Sequence, residues 1–451
     1  MLTEKVHGTI IKYDMIKNGE KVLVGFSGGA DSLFLMLSLI EIKKHINFDI
    51  YAAHLNHGIR GIDALNDENF VVDFCKKESI PLFCKTVNIP QISRESKISE
   101  ETAGRNERYK FFNEICKENN INKIAVAHNM NDSVETVIYN MIRGASLNGL
   151  GGIKPVNNNI IRPIIEVSRD EIEGYLKKYE RSYCTDSTNL TDLYTRNKIR
   201  NVILKNMREI NPSVIQTIHS NTLNLRNDDD FINDYTKKLN CISAEDKNVL
   251  VDKKIFDKEH ISVKFRIIRY AFELLKGNCE GISSAHLEII TNASISGRTY
   301  NMPGGIRVSV SFDKIVFMCE TNKQSGFEYN YTVGETTEYL PGMFLTSFYC
   351  DKYYPEDTNC LYIDADKLKT KHLKLRSRLD GDKFIPYGMK TQKKLKKYFI
   401  EQKIPSYKRD EVPIIIDGEN IVCVVPYRIS DLYKVSENTK NIIKFEITKE
   451  K

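Results

Sequence analysis

The feature that most constrains this chain is a repeated switch between two hydrophobic periods across its N-terminal third. KVLVGF (Lys21–Phe26) is a short apolar run rich in β-branched residues, which suits a strand, and SLFLMLSLIEIKK after it suits a largely buried helix. FDIYAAHLNH, IPLFCKTVNI and KIAVAH repeat the strand pattern. DENFVVDFCKKES, EETAGRNERYKFFNEICKENN and DSVETVIYNMIRGA repeat the helical one, the last expected to begin at Asp132. Strands separated by helices of this length imply βαβ units, hence an α/β fold whose N-terminal parallel sheet carries helices on both faces. Ligands on such sheets bind beyond the carboxyl ends of the strands, so the informative loops follow Phe26, Ala53 and Ala127.

The first of those loops is SGGADS (Ser27–Ser32). Gly28 and Gly29 permit close backbone approach and positive φ, and the following helix would offer unpaired N–H groups and its positive dipole end to an anion. Ser27 and Ser32 add hydroxyl donors, with Ala30 between them. Asp31 would repel a phosphate directly but suits a bridging Mg²⁺. No Gly-Lys-Ser/Thr follows, so this is not a Walker A loop, nor is it G-x-G-x-x-G. A plain strand–turn–helix remains the alternative.

Further segments fall at the other loops. HLNHGIRG (His54–Gly61) follows the second strand. EETAGRNERY (Glu100–Tyr109) sets Arg105 and Arg108 three apart on one helix face. AHNMNDSVET (Ala127–Thr136) presents His128 and Asp132 at the start of a helix. Taken singly, His54 and His57 could be core or capping histidines, the arginines surface ion pairs and Asp132 an N-cap.

The strand–SGGADS pattern resembles the PP-loop of the N-type ATP pyrophosphatases, which cleave ATP between the α- and β-phosphates. Together with H-x-x-H-G-x-R-G, Arg105-x-x-Arg108-Tyr109, H-x-x-x-D-x-x-E-T, RPIIEVSRDEI (Arg162–Ile172), DSTNLTDLYTRNKIRN (Asp186–Asn201) and GDKFIPYGMKTQKKLKKYFIEQKIP near the C-terminus, the chain resembles the tRNA(Ile)-lysidine synthetase family over nearly its whole length. It departs in having Asn131 and Ser133 where many members have Asp and Gln, and in lacking tryptophan near Cys423.

The resemblance implies a PP-loop catalytic domain over 1–205, a mainly helical or mixed substrate-binding domain over 206–335, and a small basic α+β domain over 336–451 that binds tRNA. It implies transfer of L-lysine to C2 of the wobble cytidine of a CAU-anticodon tRNA(Ile), through an adenylated cytidine, with release of AMP and pyrophosphate. ATP is then a co-substrate held by Ser27, Gly28, Gly29, Ala30, Asp31 and Ser32, with Mg²⁺ on Asp31. Asp132 either receives the lysine ammonium or takes its proton. Arg105, Arg108 and His128 are candidates for ATP or transition-state contacts. Arg196, Arg200, Lys393, Lys394, Lys396 and Lys397 are candidate tRNA contacts.

Bulk properties agree with such a protein. Residues 371–410 hold 13 Lys/Arg against 4 Asp/Glu within a chain of net charge +6, which suggests a polyanionic partner or a solvated face. In QKKLKKYF, Leu395 and Phe399 mark an inward face. The ten cysteines form no C-x-x-C pair. That weighs against a zinc or iron–sulfur site and against sulfur-transferring tRNA modifiers on the same loop. A small-molecule amidating enzyme would leave the basic C-terminal region unexplained, and a non-catalytic RNA binder would not need an intact SGGADS with Asp132. No export signal or membrane-spanning run is expected, so the expected location is cytoplasmic; a homodimer stays open.

Overall fold

The computed structural model describes residues 2–58, 62–184, 195–245, 248–293, 298–311, 313–319, 326–354, 360–370 and 372–449. Two sequence motifs therefore lie partly outside the described residues: Ile59–Gly61 of HLNHGIRG, and Asp186–Tyr194 of DSTNLTDLYTRNKIRN. The chain divides into two compact units, Met1–Phe231 and Ile232–Lys451.

In the first unit the elements run α1 (Leu2–Lys12), β1 (Lys21–Gly25), α2 (Ala30–Ile42), β2 (Asp49–Asn56), α3 (Ile62–Lys77), β3 (Leu82–Thr86), α4 (Ile89–Ser96), α5 (Glu100–Asn119), β4 (Lys123–Ala125), α6 (Met130–Ile142), α7 (Leu147–Leu150), β5 (Val156–Asn157), β6 (Ile160–Ile161) and α8 (Arg169–Lys178). The sheet order is β3-β2-β1-β4-β6-β5. The pairs β1–β2, β1–β4, β2–β3 and β4–β6 are parallel, and only the short edge pair β5–β6 is antiparallel. Pleating sends Val22 and Val24 of β1 into a core with α2 and α8, while Leu23 packs on the other face with Phe111, Phe112 and Ile115 of α5. Helices thus cover both faces, as the alternation required. Because β1 lies between β2 and β4, chain connections leave it in opposite directions and open a crevice at its carboxyl end.

Helix boundaries follow local capping chemistry. Asn129 caps α6: its side chain accepts from the Asp132 amide while the Asp132 carboxylate accepts from the Asn129 amide, a reciprocal capping box. The helix therefore begins at Met130, two residues before the expected start, and Asp132 stands in its first turn rather than at its cap. Ser168 and Glu171 form the same box on α8. A helical run over residues 195–210 contains a π-helical stretch, Ile199–Ile203, and packs Ile199 and Leu204 against Met130, Val134 and Ile138 of α6.

In the second unit, the part expected to be helical or mixed has helices Lys253–Lys258, Ile261–Lys276 and Ser284–Thr291. They pack on a five-stranded antiparallel sheet that includes Asn248–Asp252, Ile306–Val310 and Lys314–Cys319. Two further antiparallel sheets, of five and four strands, and a two-stranded pair, Lys383–Phe384 with Lys393–Lys394, belong to the same unit. A hairpin joins Ile414–Asp417 to Asn420–Val424, with Gly418 in its turn at φ +62°. The QKKLKKYF segment enters a short helix, Leu395–Glu401, that buries Leu395, Tyr398 and Phe399. No helix among the described residues is long and apolar enough to cross a membrane.

Candidate active site

A cleft of about 960 Å³ opens at the carboxyl ends of β1, β2 and β4. Its lining includes Ser27, Gly29, Ala30, Asp31 and Ser32 of the first loop, His54 and His57 of the second, Arg108 and Tyr109 of α5, and His128 of the third. These are the loops singled out by strand order alone. The SGGADS turn is built for close approach. Gly28 sits at φ +83°, and a Cβ there would stand 3.2 Å from Cys184 Sγ and 3.3 Å from the Phe70 ring. Its carbonyl accepts from the Cys184 amide at 3.0 Å, which pins the turn. Ser27 and Ser32 hydroxyls lie 3.1 Å apart at the mouth of α2. No side chain caps α2 at Gly29, which leaves its first N–H groups without a side-chain acceptor where Gly29, Ala30, Asp31 and Ser32 line the cleft.

Three helix N-termini converge here. Asp31 of α2 accepts from Asn129 Nδ2 of the α6 cap at 3.0 Å and from an Arg169 guanidinium nitrogen of α8 at 2.5 Å. Arg169 also donates through Nε to Glu173 at 2.6 Å, and its amide donates to Asn131 Oδ1 at 3.0 Å. Burial raises the Asp31 carboxyl to about 6, with nearby Asp132 adding to the rise and Arg169 opposing it. Burial likewise lowers His128 to about 4, so the imidazole is neutral at physiological pH. Arg162 Nε donates to His128 Nδ1 at 3.4 Å.

Asp132 faces two arginines, Arg200 at 3.4 Å and Arg196 at 3.7 Å. Both also hold Glu135, a carboxylate one turn further along α6 and 1% exposed: Arg200 Nε at 2.6 Å and Arg196 Nε at 3.2 Å. Arg196 and Arg200, expected as tRNA contacts, are thus engaged by carboxylates of α6, and the π-helical stretch carries Arg200. Arg105 and Arg108 separate in role. Arg108 lines the cleft, 3.4 Å from His57 Nε2, whereas Arg105 stacks over Tyr109 at 5.3 Å. His54 is buried and bonds the Phe26 carbonyl at 2.9 Å, the core role weighed for it from sequence. Sequence reasoning missed Glu135 and Arg169 as site residues. The signal for both was present, since Glu135 lies in H-x-x-x-D-x-x-E-T and Arg169 in RPIIEVSRDEI.

Residues 2–207 match the model of the PP-loop domain, and residues 373–446 match the TilS substrate C-terminal domain. Relatives over the full length include the tRNA(Ile)-lysidine synthase of Caldanaerobacter subterraneus subsp. tengcongensis, 37% identical over 100% of this chain and 98% of that protein. Those of Clostridium tetani (38% identical, 99% and 98% covered) and Clostridioides difficile (36%, 100% and 100%) align equally completely. The chain belongs to the tRNA(Ile)-lysidine synthase family. Within that family's C-terminal domain, Lys394, Lys396 and Lys397 are exposed around the buried Leu395, Tyr398 and Phe399, while Lys393 is half-buried and paired with Glu401.

Proposed function

We propose that this chain is an ATP-dependent ligase that joins L-lysine to C2 of the wobble cytidine in a CAU-anticodon isoleucine tRNA. The observation that carries the reading is the convergence of an uncapped α2 N-terminus behind Ser27–Ser32, a half-buried Asp31, and Asp132 close beside it. The first set suits the phosphates of ATP, and Asp132 suits an amine. The cytosine C2 oxygen attacks the α-phosphorus, the bond to the β-phosphate breaks and pyrophosphate leaves. The lysine amine then bonds to C2, the C2–O bond breaks, and AMP departs with that oxygen. Asp132 holds the ammonium or accepts its proton as the C–N bond forms.

Asp31 fits Mg²⁺ by its chemistry: a hard carboxylate, desolvated beside Asp132 and next to the phosphate cradle. Nucleotide oxygens would complete the shell, because no group of three or more His, Cys, Asp or Glu converges among the described residues. When bound, the ion would neutralise phosphate charge as it builds. Arg108 and neutral His128 line the same cleft and donate hydrogen bonds toward the nucleotide. Lys394, Lys396 and Lys397 track the tRNA backbone, and the target base is unstacked into the cleft, which costs a few kcal/mol.

Sulfur transfer on the same scaffold is disfavoured by the cleft's chemistry. Cys184 is the one cysteine in its described lining, and burial, with Asp67 beside it, pushes that thiol up to about 12. The test is incubation with ATP, Mg²⁺, labelled lysine and the CAU isoleucine transcript. Label enters the wild-type RNA and not a transcript lacking the wobble cytidine; label in the second RNA removes the proposed target.

A further inference from the structure

The Asp31–Arg169 pair is unlike an ordinary structural ion pair. It stands in the cleft wall, and both oxygens of Asp31 are already taken, Oδ1 by Asn129 at 3.0 Å and Oδ2 by Arg169 at 2.5 Å. A divalent cation on Asp31 and a guanidinium on the same oxygen are mutually repulsive, so one displaces the other. Arg169 is anchored independently of Asp31. Its amide is held by Asn131 and its Nε by Glu173 at 2.6 Å, while the guanidinium nitrogen facing Asp31 is the end left able to change partner. Both Arg169 and Glu173 line the cleft beside Ser27, Gly29 and Ser32, and the Arg169 side chain is 36% exposed. A guanidinium released there has an anion cradle next to it.

We propose that Arg169 is an exchangeable counter-ion: it neutralises Asp31 while the cleft holds no nucleotide, and passes to a phosphate of the nucleotide when a divalent cation takes Asp31. This rests on the reading of the cleft as an ATP site. Arg169 is then a phosphate-positioning residue, and Glu173 fixes the pivot. The guanidinium suits the exchange, since its several N–H groups donate charge-assisted hydrogen bonds to carboxylate and phosphate alike while Nε stays on Glu173. The exchange also orders events: a cation alone leaves Arg169 with Glu173 as its remaining carboxylate, and a nucleotide alone would draw Arg169 away and leave Asp31 without a counter-ion, so cation and nucleotide bind best together.

The test is equilibrium binding of ATP to the full chain without tRNA or lysine, so that no turnover occurs, titrated over Mg²⁺ concentration. For Arg169→Ala, ATP affinity at saturating Mg²⁺ falls at least tenfold, while the Mg²⁺ concentration giving half-maximal binding falls severalfold because Asp31 has lost its competitor. Arg169→Lys, which keeps the charge, restores part of the ATP affinity and part of the Mg²⁺ requirement. Thermal melting of each variant confirms folding, and Arg169→Lys serves alone if Arg169→Ala does not fold. Unchanged ATP affinity, or a Mg²⁺ requirement that rises together with the ATP constant, overturns the exchange and makes the pair structural. Failure of the wild-type chain to bind ATP at all instead removes the reading of the cleft, a separate outcome.

Discussion

Two sets of basic side chains stand out in this sequence, and the fold uses them in opposite ways. Arg196 and Arg200, one helical turn apart, are committed to Glu135 and Asp132, the first of which is almost fully out of water. Lys394, Lys396 and Lys397 stand exposed at a short helix that buries Leu395, Tyr398 and Phe399. The sign of the charge is the same in both. The difference lies in the partner: a buried carboxylate demands a fixed counter-ion, whereas an exposed ammonium can meet a mobile polyanion. Basic residues near a catalytic loop are therefore better assigned by what they neutralise than by their sign.

The sharpest way to break this contrast is at Asp132, the carboxylate that both arginines approach. Asp132→Asn keeps an oxygen to accept from the Asn129 amide, so α6 remains capped. Lysine transfer should fall by about 10²–10⁴-fold, the usual contribution of a positioned proton-transfer group, with ATP binding nearly intact. Near-normal lysidine formation would remove Asp132 from the chemistry. Next in size is Arg200→Ala, which leaves Glu135 with Arg196 alone. Breaking a buried pair costs about 3–5 kcal/mol, and the partial exposure of Arg200 reduces the expected loss to about 2 kcal/mol, read by urea unfolding. A loss no greater than that of a surface lysine would erase the difference between the two sets.

The lysine set should respond in the reverse sense. Reversing Lys394, Lys396 and Lys397 to Glu together should change unfolding free energy by no more than about 0.5 kcal/mol per site. Affinity for tRNA should fall at least tenfold. Its log–log dependence on salt should flatten by roughly 0.7–0.9 for each phosphate no longer neutralised. Unchanged affinity and slope would make the cluster a solvated face only.

How much of this was legible beforehand follows the range of the interactions involved. The parallel sheet, the helices on both faces and the crevice at β1 were legible because strand and helix periods are local and the topology rules that follow are few. Membership of the cleft was legible for Ser27, Asp31, Ser32 and His128, since each sits just past a strand. The partners were not. Arg169 is far from Asp31 in sequence, and nothing in RPIIEVSRDEI distinguishes an arginine that stays at the surface of its own helix from one that reaches across to another. The five-stranded antiparallel sheet was not legible as a unit, because Asn248–Asp252 pairs with Lys314–Cys319 across a long stretch of sequence. Asp132 shows the same limit at short range: a carboxylate at a helix start fits cap, box or catalyst until the Asn129 side chain is placed.

The smallest expected effect concerns the energetic position of the cleft itself. Asp31 rises from an ordinary 3.8 to about 6, chiefly because burial disfavours its charge and Arg169 only partly compensates. Between those two values the folded chain keeps the proton that the unfolded chain has lost, so stability declines as pH climbs through that window and levels off above it. Asp31→Asn removes the desolvated charge. It should raise stability at pH 8 by about 1–2 kcal/mol, below the ~3 kcal/mol ceiling implied by the displacement, with the gain shrinking toward pH 4. Thermal melts at pH 8, 6 and 4 measure this, alongside loss of ATP-dependent activity. A variant less stable than wild type at pH 8 would mean that the Arg169 pair outweighs desolvation. The expected sign instead has the cleft holding a charge at a cost to the fold, where the exposed lysines hold theirs at almost none.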